Sequence, residues 1–124
     1  GTLSSSGRAE ITNDTVGLTA TNIRNQPGLF FQANNAISGG SGVTFGDGIR
    51  CCGGNVVRLQ VVLPPGPQPA TAQSTVSITS AGPPGTVQAG DEKCYQYWYR
   101  DPGPAGPCGT SFNLTNAVSI AWLP

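Results

Sequence analysis

Lys93-Cys94-Tyr95-Gln96-Tyr97-Trp98-Tyr99-Arg100 decides how this chain is read. A strand turns successive side chains to opposite faces. Tyr95, Tyr97 and Tyr99 then share one face, and Cys94, Gln96 and Trp98 share the other. Asn55-Val-Val-Arg-Leu-Gln-Val-Val-Leu63 repeats the pattern, with Val57, Leu59, Val61 and Leu63 on one side and Val56, Arg58, Gln60 and Val62 on the other. Pro64-Pro65 ends that run, because proline cannot donate to a ladder. Further strands are predicted at Ser74–Thr79, with Val76 and Ile78 inward, and at Ala117–Trp122, with Val118, Ile120 and Trp122 aligned. Earlier candidates are Arg8–Thr12, Val16–Ile23, Gly28–Gln32 and Gly48–Cys52. No stretch repeats apolar residues at helical spacing, and 18 glycines and 11 prolines punctuate the chain. The predicted fold is all-β, a disulfide-bonded β-sandwich of jelly-roll or immunoglobulin-like type, with about seven to ten short strands.

The turns carry their own chemistry. Ser38–Gly42 and Gly46-Asp47-Gly48 can supply positive φ, and Cys52-Gly53-Gly54-Asn55 reads as a tight link between strands. Residues 64–70, 82–85 and 102–107 are Pro/Gly-rich loops, too short and aperiodic for collagen.

Four cysteines, Cys51, Cys52, Cys94 and Cys108, read as a disulfide framework and an oxidising compartment. Zinc would want paired C-x2-C spacing or histidine, and the chain has no histidine. Vicinal cysteines in a strand point to opposite faces, so Cys51 and Cys52 seek different partners. Three connectivities are possible. With Cys94 on a core-like strand and Cys108 in the loop after it, the expected pairing is Cys51–Cys108 and Cys52–Cys94.

At 124 residues the chain is one domain, large enough for a core. Residues 13–124 are expected to form the sandwich. Residues 1–12, Gly/Ser-rich at their start, are expected as an extended N-terminal arm that reaches a neighbouring subunit. Gly1 is expected to begin a mature, exported chain. Formal net charge is zero, and the six basic residues are scattered in sequence, which argues against nucleic acid and anionic membrane as partners. No apolar run approaches a bilayer span. The absence of histidine removes Ser-His-Asp and Cys-His machinery.

Pro27-Gly-Leu-Phe-Phe-Gln32, Phe45-Gly-Asp-Gly-Ile-Arg-Cys51, Gly53-Gly-Asn-Val-Val-Arg-Leu59, Tyr95-Gln-Tyr-Trp-Tyr-Arg-Asp-Pro102, Cys108, Phe112-Asn-Leu-Thr-Asn116 and Trp122 form a pattern over roughly residues 27–124. It resembles a β-rich C-terminal module of large secreted proteins in environmental bacteria such as planctomycetes and myxobacteria, a module with no assigned activity. That module carries one cysteine at each of the Cys51 and Cys108 positions. The resemblance therefore implies that Cys52 and Cys94 are an added pair, a second reason for the expected pairing. A module that stands alone suggests a repeating subunit.

The aromatic run invites a sugar-stacking reading, with Tyr97, Trp98, Tyr99 or Trp122 as platforms. Strand aromatics more often pack cross-strand, in a core or an interface. Asp47, Asp91, Glu92 and Asp101 are candidates for calcium or for a glycosidase pair, but no EF-hand-like loop appears and each aspartate suits a turn. Arg100-Asp101 before Pro102 reads as a turn with a local ion pair. Asn13-Asp-Thr15 and Asn113-Leu-Thr115 match the N-glycosylation acceptor pattern.

These observations point to a non-enzymatic extracellular or cell-surface structural protein of bacterial type. It is expected to be the repeating subunit of a filament, tube or surface layer, with itself as partner and no cofactor. Assembly would run through β-edges and the N-terminal arm, with Leu3, Ile11, Val16 and Leu18 at the interface. The alternative is a secreted carbohydrate- or matrix-binding module that uses exposed Tyr and Trp. A small secreted enzyme is a third, weaker reading.

Overall fold

In the computed structural model, residues 1–37, 42–45, 48–81, 86–100 and 112–124 are described. Among them the chain forms twelve short strands and one helical turn. In chain order these are β1 (Thr2–Ser6), β2 (Gly17–Ile23), β3 (Gly28–Ala33), β4 (Asn35–Ala36), β5 (Val43–Phe45), β6 (Gly48–Arg50), β7 (Cys52–Gly53), β8 (Val57–Val62), β9 (Ala70–Gln73), α1 (Ile78–Ala81), β10 (Glu92–Arg100), β11 (Phe112–Leu114) and β12 (Val118–Ala121).

Two antiparallel sheets face each other. One has the order β1-β2-β9. The other has the order β11-β10-β3-β8, with β12 also paired to β10. β10 is long enough to hold β12 along Glu92–Tyr95 and β11 along Trp98–Arg100 on one edge, and β3 on the other. The main core lies between the sheets. Leu3, Leu18, Ala20, Ala70 and Ala72 come from the smaller sheet, and Phe30, Tyr95, Tyr97, Tyr99 and Ile120 from the larger one. The small side chains of β2 and β9 leave room for the three tyrosines. This is the all-β, disulfide-bonded sandwich that the alternation predicts.

The predicted faces of β10 are observed. Its tyrosines point into the sandwich, while Cys94 belongs to a second cluster with Leu29, Phe31, Ala33, Cys52 and Leu114 on the outer face of the larger sheet. Val118, Ile120 and Trp122 likewise share the core side. Trp122 Nε1–H donates to Tyr95 Oη at 2.9 Å, and Tyr95 O–H donates to Gln32 Oε1 at 2.8 Å. This chain satisfies three buried polar groups. Tyr97 Oη is buried with no hydrogen-bond partner among the described residues. It lies against Gly28, where any Cβ would overlap the phenol ring, so glycine is required there.

Four expectations are corrected. The strand at Ser74–Thr79 lies instead at Ala70–Gln73. Ser74 does continue the pairing: its N–H donates to Leu18 O, and its Oγ takes the Leu18 N–H. Beyond it, Asp14 accepts from Ser77 Oγ, Thr79 N–H and Thr79 Oγ1, which turns the chain into α1. Hydroxyls and carboxylates compete with a ladder in this way. Arg8–Thr12 forms no strand, only a parallel bridge of Glu10 to Leu123. The predicted faces of residues 55–63 fail because a bulge at Leu59 shifts the register: Phe30 opposes Gln60, but Phe31 opposes Arg58. Val57, Leu59 and Val62 therefore pack on the core, while Val61 and Leu63 are exposed.

The fourth correction concerns residues 1–12. Of these, Thr2–Ser6 pair with β2 in the domain's own sheet, with Leu3 3% exposed in the core. The outward backbone of Leu3 is capped, since its N–H donates to Asn116 Oδ1 and its carbonyl accepts from Asn116 Nδ2.

Cys52 and Cys94 form a disulfide with Cα atoms 5.5 Å apart, as expected. Cys51 has no disulfide partner among the described residues. The expected Cys51–Cys108 bridge lies outside them, because Cys108 is not described. The disulfide is compatible with an oxidising compartment. No helix among the described residues is long and apolar enough to cross a membrane.

The disulfide spans 42 residues. Loop-closure entropy for that span is worth roughly 4 kcal/mol. A Cys52→Ala, Cys94→Ala double variant is expected to lose about 2–4 kcal/mol in urea unfolding; a loss under about 1 kcal/mol would show that packing alone holds the outer layer. Burial, with a smaller contribution from Tyr99, pushes the Tyr97 hydroxyl from 10.0 up to about 12. Burial also holds Tyr95 protonated above its ordinary range. The unfolded chain ionises first. The stability these neutral rings contribute is thus complete below pH 10 and falls as pH rises toward about 12. For Tyr97 the fall is up to roughly 3 kcal/mol. Tyr97→Phe is expected to flatten the pH dependence of urea unfolding in that window, and an unchanged slope would assign it elsewhere.

Candidate functional site

The outer face of the larger sheet is where this molecule departs from a plain two-layer sandwich. Cys94, Gln96 and Trp98 all point there. The first two carry an outer layer formed by residues 48–53. Cys94 binds it through the disulfide to Cys52. Gln96, fully buried, binds it through its amide: Nε2 donates to Ile49 O at 2.8 Å and to Thr115 O at 2.6 Å, and Oε1 accepts the Cys51 N–H at 3.0 Å. One side chain thus satisfies three backbone groups on two segments.

Trp98 lies beyond this cover, half-buried, in a groove. Two depressions of about 230 and 240 Å³ share Leu29, Arg58 and Trp98 in their walls. The sheet register orders the floor. Val61 opposes Leu29, Leu29 opposes Trp98, and Trp98 opposes Leu114, so an apolar row crosses β8, β3, β10 and β11. Strand spacing makes that row about 15 Å wide. Arginines flank it. Arg58 opposes Phe31, two residues to one side of the row, and Arg100 lies two residues to the other side, its N–H donating to Pro27 O. Arg50 lines one end, with Nε donating to Cys52 O at 3.0 Å.

The bulge at Leu59 builds this site. Arg58 and Val61 are three apart, so a regular strand would turn them to opposite faces. Because Leu59 is the extra residue, both reach the outer face. Half of the chain's basic residues, scattered in sequence, thereby meet in one groove. The described lining residues include no carboxylate.

The expected site residues fare differently. Of the four stacking candidates, Trp98 and Tyr99 border the groove, and only Trp98 is more than marginally exposed there. Tyr97, Tyr99 and Trp122 are buried, with Trp122 1% exposed, so they fill the core rather than form platforms. Leu3, Val16 and Leu18 are buried in the same core and Ile11 packs against it, so these expected interface residues face inward. Asn13 is exposed, and Thr15 Oγ1 accepts the Arg8 N–H. In the second acceptor pattern Asn113 is half-buried and Thr115 is buried, its hydroxyl donating to Asn116 O. Asp91 caps a turn through the Gln88 N–H and lies 3.8 Å from Lys93 Nζ, while Glu92 sits at the exposed start of β10. Asp47 and Asp101 lie outside the described residues. The site residues that sequence reasoning missed are Arg58, Val61, Leu29 and Leu114, together with Gln96, which anchors the layer beside them. Their signal, an Arg three before an exposed Val on one strand, becomes readable only with the bulge.

No family model, curated protein or solved structure matches this chain.

Gln96→Leu would leave Ile49 O, Thr115 O and the Cys51 N–H without this partner. Each buried group left unpaired costs about 1–3 kcal/mol. A destabilisation of roughly 3 kcal/mol is expected, with the Cys51 amide losing protection in hydrogen exchange while β1–β2 amides keep theirs. Uniform loss across both sheets would show that Gln96 supports the whole fold rather than the outer layer.

Proposed function

We propose that this chain is a non-enzymatic module of the cell exterior that binds an extended carbohydrate or matrix polymer along the groove on the larger sheet. The observation that carries this reading is the apolar row Val61–Leu29–Trp98–Leu114, open to solvent at Trp98 and Val61. A flat indole beside aliphatic side chains offers an apolar surface to the faces of sugar rings, and the arginines at its rim offer donors to their oxygens. The row sits on a sheet stiffened from behind by a packed core, so little ordering accompanies binding. The disulfide fits service in an oxidising environment. The resemblance of residues 27–124 to a secreted bacterial module fits the same setting.

A repeating subunit is the second reading. It is favoured by large aliphatic side chains left exposed, Val61 at 67% and Leu63 at 66% with Ile49 and Val56 half-covered, and by a formal net charge of zero. Its mechanism would use these patches rather than open strand edges. The β1 edge is capped by Asn116, and the β8 edge is interrupted by its bulge, the strand ending before Pro64-Pro65.

Fluorescence separates the readings, because Trp122 is buried and Trp98 is the accessible indole of the two tryptophans. Titration with a panel of soluble polysaccharides is expected to change the Trp98 emission, and Trp98→Ala is expected to weaken binding at least tenfold, about 1.4 kcal/mol. Silence across the panel, together with a sedimentation mass that grows with concentration, would replace the binding module with the repeating subunit.

A further inference from the structure

We infer that the polymer recognised in this groove is a polyanionic glycan whose sugar rings carry carboxylates, a polyuronate; this rests on the binding reading above. The argument is charge placed around an apolar row. Arg58 and Arg100 both have exposed side chains, and they flank the row on opposite sides. Their backbone positions are separated by four residues along the strands and two strand spacings across them. That is about 14 Å by about 10 Å between backbones, and both side chains line the second depression, so carboxylates repeating along one chain can meet both guanidinium groups. The described lining residues supply no carboxylate to neutralise either arginine within the groove.

Guanidinium groups suit this ligand. Their planar fork donates two parallel hydrogen bonds to one carboxylate, which a lysine cannot do. The apolar row between them meets the ring faces, so ring and carboxylate are read by different parts of one surface. A neutral glycan would use the Trp98 row and leave the arginines solvated. An acidic peptide would satisfy the arginines and leave the row without a flat partner.

The probe is polygalacturonate, titrated against the full chain at low and at high sodium chloride, with a neutral glucan and polyglutamate in parallel. The expected result is binding to polygalacturonate that weakens at least tenfold with salt, and no comparable binding to the other two. Arg58→Gln and Arg100→Gln are each expected to weaken polygalacturonate binding at least tenfold with an unchanged melting temperature, and Arg58→Lys to recover only part of the loss. Binding to the neutral glucan that is indifferent to both substitutions would overturn the polyuronate and leave the carbohydrate module standing. Equal binding to polyglutamate would overturn it in favour of an acidic peptide. Binding to none of the three, with Trp98 emission unmoved, would overturn the inference and the binding module together.

Discussion

Cys94, Tyr95, Gln96 and Tyr97 are all buried although they alternate in direction, and a strand buried on both faces must be covered on both. The smaller sheet covers the tyrosine face. The segment 48–53 covers the other, and it is fastened there by a covalent bond and an amide side chain rather than by apolar area. These fastenings are directional. They fix the depth and position of the outer layer, and so they decide how much of the outer face stays open beside it. Trp98 is the residue left at that boundary.

The groove follows from two departures from regular structure. The outer layer stops short of Trp98, and β8 gains one residue at Leu59. Without the extra residue, Val61 would face inward and Arg58 alone would mark the outer rim. With it, a charged and an aliphatic side chain share one surface at the end of an apolar row. A bulge on an edge strand also bends that edge away from further pairing. One local irregularity thus shapes the groove and blunts a sheet edge. Asn116 does comparable work at the opposite edge, where its amide takes both outward backbone groups of Leu3.

Alternation along the chain was enough for the all-β class, for the two faces of β10, and for the alignment of Val118, Ile120 and Trp122. Each of these rests on period two within a single regular strand, a property of covalent geometry that needs no partner. The reading failed where a neighbour intervened. Arg8–Thr12 met one bridging residue instead of a ladder, Ser74–Thr79 lost its strand to Asp14, and Thr2–Ser6 became an edge strand because β2 had an open side and Leu3 a place in the core.

The candidate site was less legible than the fold. Trp98 was visible as the aromatic on the face opposite the three tyrosines, yet Tyr97, Tyr99 and Trp122, offered with it as stacking platforms, proved to be core. The sequence determined a disulfide-bonded β-sandwich and which residues of β10 oppose one another. Only the tertiary structure decided that three distant arginines meet around one apolar row. A register shift between paired strands reverses the facing of every residue beyond it, and pairing is a contact between segments that the order of residues in either one does not contain.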